Sequence, residues 1–109
     1  PSAGLMFSLG LVDKLTPGPL PGGQFVAGTG TIDDSGKVGR IGGIEMKMIG
    51  ARDAGAKFFL TPQGNCAVAA KNVPDGLTLV KVNTLRDAVG ALAEIGRGTT
   101  QNLERCGKG

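Results

Sequence analysis

Apolar and polar positions alternate along this chain in short blocks, which predict a series of helices and strands. Behind Ser2, apolar residues recur at helical spacing and predict a helix over about residues 3–15. The Pro- and Gly-rich stretch 17–23 ends it and is compatible with neither a helix nor a central strand. Residues 24–32 are strand-like, and the turn at 33–36 should fold residues 37–41 back as the partner of a hairpin.

The second half of the chain has the pattern of alternating helices and strands. A helix over Ile44–Gly55, with Gly55 at its C-terminus, precedes the apolar run Lys57–Leu60, which is typical of a buried strand closed by Pro62. Residues 65–71 predict a short helix and residues 77–82 another strand. Thr84 with Asp87 resembles a capping box for a last helix, which Gly96 should end and which carries apolar residues at Leu85, Ala88, Val89, Leu92 and Ile95. This order predicts an α/β (α+β) fold with parallel pairing between the last two strands.

Lys47 stands out within the helix that begins at Ile44. At about 100° per residue, Ile44, Met48 and Ala51 form one apolar arc, and Lys47 falls at its edge between Ala51 and Ala54. Its ammonium would therefore be flanked by methyl groups unless it reaches a partner or a cavity. Two interpretations follow: the side chain buries its stem and keeps its charge in water, or the amine has a chemical role.

Composition excludes several classes of protein. The 109 residues allow one small core, and 40% apolar residues argue against disorder although 20 glycines and six prolines interrupt the chain. The net charge of +3 and four aromatic residues give little support to nucleic-acid binding. No apolar run is long enough to span a membrane, and no signal peptide is present. Because the chain begins at Pro1 without an initiator Met, we expect it to be part of a longer protein.

The residue inventory also narrows the chemistry. Without histidine the chain cannot form a Ser-His-Asp triad, and two cysteines 40 residues apart predict neither a metal site nor a redox motif. The glycines at 30 and 36 enclose five residues where a phosphate loop has four, and Val38 stands where Ser or Thr is required, so we predict no nucleotide or other cofactor.

A serine nucleophile with a lysine base remains possible. At an ordinary pKa of about 10.4, only about one lysine amine in 2,500 is neutral at pH 7, and lowering that pKa to near 7 costs the charged form about 4.6 kcal/mol. Desolvation among methyl groups can supply this shift. Ser2 also has two interpretations: a helix N-cap, the common role, or a nucleophile at the positive end of the helix dipole, where an oxyanion would be stabilised.

Two separated motifs resemble the proteolytic domain of the Lon family of serine proteases. They are P-S-A-G at residues 1–4 and I-G-G-x-x-x-K at residues 41–47, and the likeness extends from Pro1 to about Ile95. The resemblance implies a serine endopeptidase that cleaves unfolded proteins or peptides, with Ser2 as nucleophile and Lys47 as general base. It also implies that Thr29, in V-A-G-T-G, hydrogen-bonds the lysine; the alternative is an ordinary strand threonine.

The same resemblance implies an architecture and an assembly. Residues 1–96 would be the C-terminal catalytic part of a Lon proteolytic domain, a β-hairpin plus βα units resembling the ribosomal protein S5 domain 2-like fold, without the upstream half. Residues 97–109 would be a tail. Lon proteolytic domains form rings, which implies a homo-oligomer. The rival hypothesis is a non-catalytic βα domain of ribosomal-protein-like architecture, in which Ser2 caps a helix and Lys47 meets solvent or RNA.

The two cysteines bear on the subtype and the compartment. Cys66 would pack comfortably as a buried thiol, but Cys106 lies in a polar tail without an apolar pattern, where a free thiol is a liability. We therefore predict a Cys66–Cys106 disulfide and an extracytoplasmic protein, secreted or anchored by an upstream segment. The loop at 17–23 is about two residues longer than in bacterial ATP-dependent members. Together with the cysteine pair, this loop makes the chain resemble the ATP-independent Lon-like proteases that are joined to a PDZ domain. The alternative is a cytoplasmic protein with two reduced thiols.

Overall fold

Strands and helices alternate through the part of the chain that a computed structural model describes, residues 18–19 and 25–106. For Gly18, Pro19 and Phe25 only the backbone is described. The elements are β1 (Gly18–Pro19), β2 (Phe25–Gly28), β3 (Thr31–Ile32), β4 (Val38–Gly39), α1 (Ile44–Asp53), β5 (Phe58–Pro62), α2 (Cys66–Lys71), β6 (Thr78–Val82) and α3 (Leu85–Arg97), with single 3₁₀ turns at Gln63–Asn65 and Thr100–Asn102. Ser2 and the helix predicted over residues 3–15 lie outside the described residues.

The main sheet has four strands in the order β1-β2-β5-β6. Strands β2, β5 and β6 are mutually parallel, and β1 pairs antiparallel with β2 at the edge. The parallel pairing predicted between the last two strands is confirmed, with Phe58 opposite Thr78 and Pro62 opposite Val82. The described part of the Pro-rich stretch, Gly18–Pro19, is an edge strand, which agrees with the prediction that this stretch is not a central strand, because proline has no N–H to donate to a neighbouring strand.

The predicted hairpin is present, but the strand expected over residues 24–32 is divided. Its second half, β3, pairs antiparallel with β4 in a separate two-stranded sheet. Gly30 lies at the break with φ +150°, and a Cβ atom there would approach Cγ1 of Val38 to 2.7 Å. The chain therefore leaves the main sheet at a residue that accepts both this backbone conformation and the close contact.

Apolar side chains cover both faces of the main sheet, because successive residues of a strand point in opposite directions. One face packs against α1 and α2, and the other packs against α3. The first core contains Ala27, Ile44, Met48, Ala51, Ala56, Phe59, Ala69, Leu77 and Leu79. The second contains Val26, Val38, Leu60, Val80, Val82, Ala88, Ala91 and Ile95. The described chain is thus a mixed α/β fold with a parallel sheet between helical layers.

The last helix begins as its capping box predicts and ends two residues later than expected. Thr84 Oγ1 accepts the Asp87 N–H at 3.0 Å, and an Asp87 carboxylate oxygen accepts the Thr84 N–H at 3.0 Å. The prediction that Gly96 stops the helix is wrong. Helix α3 continues to Arg97 and ends at Gly98, where φ is +79° and the Gly98 N–H donates to the Ile95 carbonyl. Val89, expected on the apolar face, is half exposed.

The tail after α3 returns to the sheet and is tied to it. The Lys81 N–H donates to the Glu104 carbonyl at 2.9 Å, and the Cys106 N–H donates to the Leu79 carbonyl at 3.4 Å. Cys106 is bonded to Cys66 at the start of α2, which confirms the predicted disulfide. The tail thereby covers the free edge of β6, a position that would otherwise present unpaired backbone groups.

Candidate active site

Helix α1 carries Lys47 and is held on the sheet by one apolar side. Ile44, Met48 and Ala51 are buried, as the helical projection predicts, and Met48 is fully enclosed. The Lys47 N–H donates to the Gly43 carbonyl at 3.2 Å, which places the lysine in the first turn. The helix axis is thus fixed by burial, and Lys47 lies one residue before the most buried position.

The C-terminus of α1 is closed by two hydrogen bonds. The Gly55 N–H donates to the Arg52 carbonyl at 2.9 Å, and the Ala56 N–H donates to the Ala51 carbonyl at 3.0 Å. This pair of bonds is the Schellman arrangement, and Ala51 and Ala56 at its ends are both buried. The predicted closure at Gly55 is therefore confirmed, and it fixes the end of the helix opposite to Lys47.

The Lys47 side chain is exposed. Of the two alanines expected to flank it, Ala51 is buried and Ala54 is exposed, so the amine is not enclosed by methyl groups. Among residues 26–106, the ion pairs join Arg52 to Asp53, Lys81 to Glu104 and Arg97 to Glu94, and none includes Lys47. Among the described residues, Lys47 is therefore an exposed residue of α1 without an ion-pair partner, and the methyl-lined surroundings that the sequence suggested are incomplete.

Thr29 follows the last residue of β2. It is 3% exposed, and its N–H donates to the Leu60 carbonyl at 3.4 Å, which extends the pairing of β2 with β5 by one residue. By strand alternation Thr29 belongs to the same side of the sheet as Ala27, the side on which α1 packs. The fold thus brings Thr29 and the lysine-bearing helix to one face of the sheet.

Ser2 lies outside the described residues, so its pairing with Lys47 stays a prediction.

In the part of the chain that is described, no three His, Cys, Asp or Glu side chains are grouped so as to hold a metal ion. The same part contains no helix that is both long and apolar enough to cross a membrane.

One residue close to this region was not identified from the sequence. Asn65 is 4% exposed and precedes α2, where the sequence suggests only a helix start. Its amide does not cap that helix. Instead, Oδ1 accepts the Ile41 N–H at 2.9 Å and Nδ2 donates to the Ile41 carbonyl at 2.8 Å. No sequence pattern signals this contact, because the partners are 24 residues apart.

Two carboxyl groups have lowered pKa values, and both are engaged by local structure. The hydroxyl of Ser35, followed by the Lys37 N–H, lowers the pKa of Asp33 in the hairpin turn. The hydroxyl of Thr99, followed by the Asn102 amide, lowers the pKa of Glu94 near the end of α3. These groups stabilise a turn and a helix terminus, and neither is on α1.

Comparison with known proteins provides a family. Residues 1–94 match the family described as Lon protease (S16) C-terminal proteolytic domain. The Lon protease of Buchnera aphidicola subsp. Schizaphis graminum (strain Sg) is 33% identical over 92 residues, which cover 82% of this chain and 12% of that protein. The mitochondrial Lon protease homolog of Yarrowia lipolytica is 36% identical over 90 residues, covering 80% of this chain and 8% of that protein. The Lon protease of Fusobacterium nucleatum subsp. nucleatum is 39% identical over 77 residues, which cover 71% of this chain and 10% of that protein. The chain therefore spans about a tenth of the length of these relatives.

Proposed function

The chain belongs to the Lon protease C-terminal proteolytic domain family, and we propose that it is the catalytic part of a serine endopeptidase acting on unfolded proteins or peptides. The observation that carries the proposal is the family match over residues 1–94, which includes both the P-S-A-G segment and the I-G-G-x-x-x-K segment. We assign the catalytic part to residues 1–96, with residues 97–109 as a tail, and we extend the fold assignment to one resembling the ribosomal protein S5 domain 2-like fold.

In the proposed reaction Ser2 is the nucleophile and Lys47 is the general base. Neutral Nζ of Lys47 takes the proton from Oγ of Ser2 as that oxygen attacks the carbonyl carbon of the peptide. The resulting ammonium then gives the proton to the leaving amine. In the second half of the reaction the Lys47 amine takes a proton from water as the water attacks the acyl-enzyme, and it returns that proton to Oγ of Ser2 as the ester bond breaks. Thr29 is the proposed hydrogen-bonding partner that orients the Lys47 amine.

The exposure of Lys47 adds a requirement to this mechanism. A general base must be neutral, and burial is what disfavours the charged form of a lysine, so the proposed role requires that other groups cover Lys47. The described residues do not supply that cover. We therefore propose that the bound substrate or another part of the full-length protein covers Lys47 during catalysis.

Single substitutions in the full-length protein test the dyad. We expect Ser2→Ala to abolish cleavage of fluorescein-labelled casein, and we expect Lys47→Ala to lower it by about 10²–10⁴-fold, the usual contribution of a general base. Lys71→Ala is the matched control, because Lys71 is also an exposed helical lysine. Full activity of Lys47→Ala would exclude the proposed mechanism. A protein that never cleaves casein or short peptides would favour the rival hypothesis of a non-catalytic binding domain.

We also propose that the protein works without ATP, in the manner of the PDZ-containing Lon-like proteases, and outside the cytoplasm. The support for the compartment is the Cys66–Cys106 disulfide, since such bonds persist in oxidising compartments. The support for ATP independence is the resemblance to those proteases drawn from the length of the loop at 17–23 and from the cysteine pair. Equal casein cleavage with and without Mg-ATP, and recovery of the oxidised form from cells lysed in an alkylating agent, are the expected results. Strict ATP dependence would contradict the first proposal. Alkylation of both cysteines in that lysate would contradict the location outside the cytoplasm.

A ring-shaped homo-oligomer is the assembly that we propose, because Lon proteolytic domains form rings. Sedimentation velocity of the full-length protein at micromolar concentration should show a closed oligomer of defined size. A monomer throughout the concentration range would exclude the ring.

A further inference from the structure

Asn65 holds the main chain that leads into the Lys47 helix. Its side-chain amide engages both polar groups of the Ile41 backbone, at 2.9 and 2.8 Å, and the side chain is 4% exposed. A buried amide that satisfies both groups of one residue restricts the position and the rotation of that peptide segment. The pair of bonds is therefore a two-point attachment between residues 24 positions apart.

The attachment lies immediately before α1. After Ile41 come Gly42 and Gly43, and α1 begins at Ile44. Gly43 has φ +70°, and a Cβ atom built on either glycine would meet nothing within 4 Å. Within the described residues there is therefore open space beside this link, and no side-chain hydrogen bond caps the start of α1. Asn65 fixes the link at one end, while burial of Ile44 and Met48 fixes it at the other.

The other side of the attachment is joined to the sheet and to the tail. Asn65 follows β5, whose last residue, Pro62, is paired with β6, and it precedes Cys66, which is covalently bonded to Cys106. At Gly64 an added Cβ atom would lie 3.1 Å from Cβ of Arg40, so the two segments also touch next to the amide. Asn65 thus connects the start of α1 to a part of the sheet that is held from both directions.

We propose that Asn65 is a positioning residue for Lys47: by fixing the Ile41 backbone against the end of β5, it sets where the first turn of α1 places the lysine amine. This inference rests on the proposed function, in which that amine is the base. A proton transfer is sensitive to small displacements, and a misplacement of about 1 Å can cost about 10²-fold in rate. Asn65 itself touches no substrate in this scheme and acts only through the Ile41–Lys47 segment.

Steady-state cleavage of fluorescein-labelled casein by the full-length protein tests the proposal. We expect Asn65→Ala to lower kcat by about 10–100-fold with KM within about two-fold, because the base is displaced while substrate contacts remain. Asn65→Asp keeps the side-chain volume but places a carboxylate oxygen against the Ile41 carbonyl, so it should lower kcat without creating a cavity. Asn72→Ala is the control: the Asn72 amide also donates to a backbone carbonyl, but to that of Val68, only four residues earlier in the chain.

Hydrogen exchange, followed by mass spectrometry on the same samples, separates positioning from a general loss of structure. In both Asn65 variants we expect faster exchange over residues 41–47, by about ten-fold or more, with unchanged protection in β5 and β6. Normal kcat despite that local loosening would overturn the proposal, and so would a raised KM with unchanged kcat. Loss of protection throughout the sheet in both variants would show that Asn65 has a structural role and would also overturn it.

The same assay distinguishes this inference from the proposed function. Full cleavage by Lys47→Ala would remove the proposed function and the inference together. Normal cleavage by Asn65→Ala beside an inactive Lys47→Ala would remove the inference alone.

Discussion

Reduction of the Cys66–Cys106 bond should destabilise the sheet by an amount that follows from the length of chain it closes. The two cysteines are 40 residues apart, and the bond joins the start of α2 to the tail beside β6. In the chain-entropy description, closing a loop of about 40 residues removes about 13 cal/mol/K from the unfolded chain, or about 4 kcal/mol at 25 °C. Reduction returns that entropy, and the tail also becomes free to leave the β6 edge.

Hydrogen exchange measures this loss within the full-length protein, because it reports on the sheet separately from other parts. We expect reduction to accelerate exchange of the most protected amides of β5 and β6 by roughly 10³-fold, the equivalent of about 4 kcal/mol. Two amides that join the tail to β6 should lose protection first. They are the Lys81 amide, which donates to the Glu104 carbonyl, and the Cys106 amide, which donates to the Leu79 carbonyl.

The double variant Cys66→Ala/Cys106→Ala is the control for side effects of the reductant. Its exchange should resemble that of the reduced protein and should not respond to reductant. Intact mass must show a gain of two hydrogens on reduction of the natural protein. If β5 and β6 keep the same protection within about two-fold after that gain, the bond does not stabilise this sheet and the loop-closure argument is refuted.

Two further predictions concern the core and the hairpin. Met48→Ala should lower the free energy of unfolding by about 2–5 kcal/mol, because Met48 is fully buried. Met46→Ala, on the exposed side of the same helix at 73% exposure, should change it by no more than about 0.5 kcal/mol. Exchange of the β5 and β6 amides measures both changes. The hairpin turn should loosen in acid: the pKa of Asp33 is lowered from 3.8 in the folded chain, so its contribution is present above that value and is lost as the pH falls through the lowered pKa. At neutral pH the Ser35 and Lys37 amides, which donate to the Asp33 carboxylate, should exchange more slowly in the natural protein than in Asp33→Ala, and this difference should disappear as the pH falls through the lowered pKa. Equal exchange in the two proteins at neutral pH would contradict the prediction.

The sequence was sufficient where the interaction is local or where the pattern spans a whole element. The capping box at Thr84 joins residues three apart, so its signature is visible in the order of residues. The buried arc of Ile44, Met48 and Ala51 follows from helical periodicity, and parallel pairing of β5 with β6 follows from a helix between two apolar strands. The disulfide is predictable because Cys106 lies in a polar tail, where no apolar pattern offers a buried position for a free thiol.

The sequence was less informative about helix limits and strand breaks. Gly96 and Gly98 both stand near the end of α3, and a glycine alone does not show which one adopts the left-handed conformation; the hydrogen bond from Gly98 to Ile95 decides it. The division of residues 24–32 at Gly30 depends on the approach of Val38, which belongs to the other strand of the hairpin.

For the candidate site, the sequence determined which residues to examine, and the tertiary structure decided their surroundings. Pattern and motif alone placed Lys47 on a helix and Thr29 within the strand expected over residues 24–32, whereas the structure ends that strand at Gly28. Projection onto one helix could not show that the Lys47 side chain is exposed, since burial depends on the elements that pack beside it. It also could not show the attachment of Asn65 to Ile41. Hydrogen bonds between segments 24 residues apart form only when the sheet has brought those segments together, so no local preference of either segment encodes them.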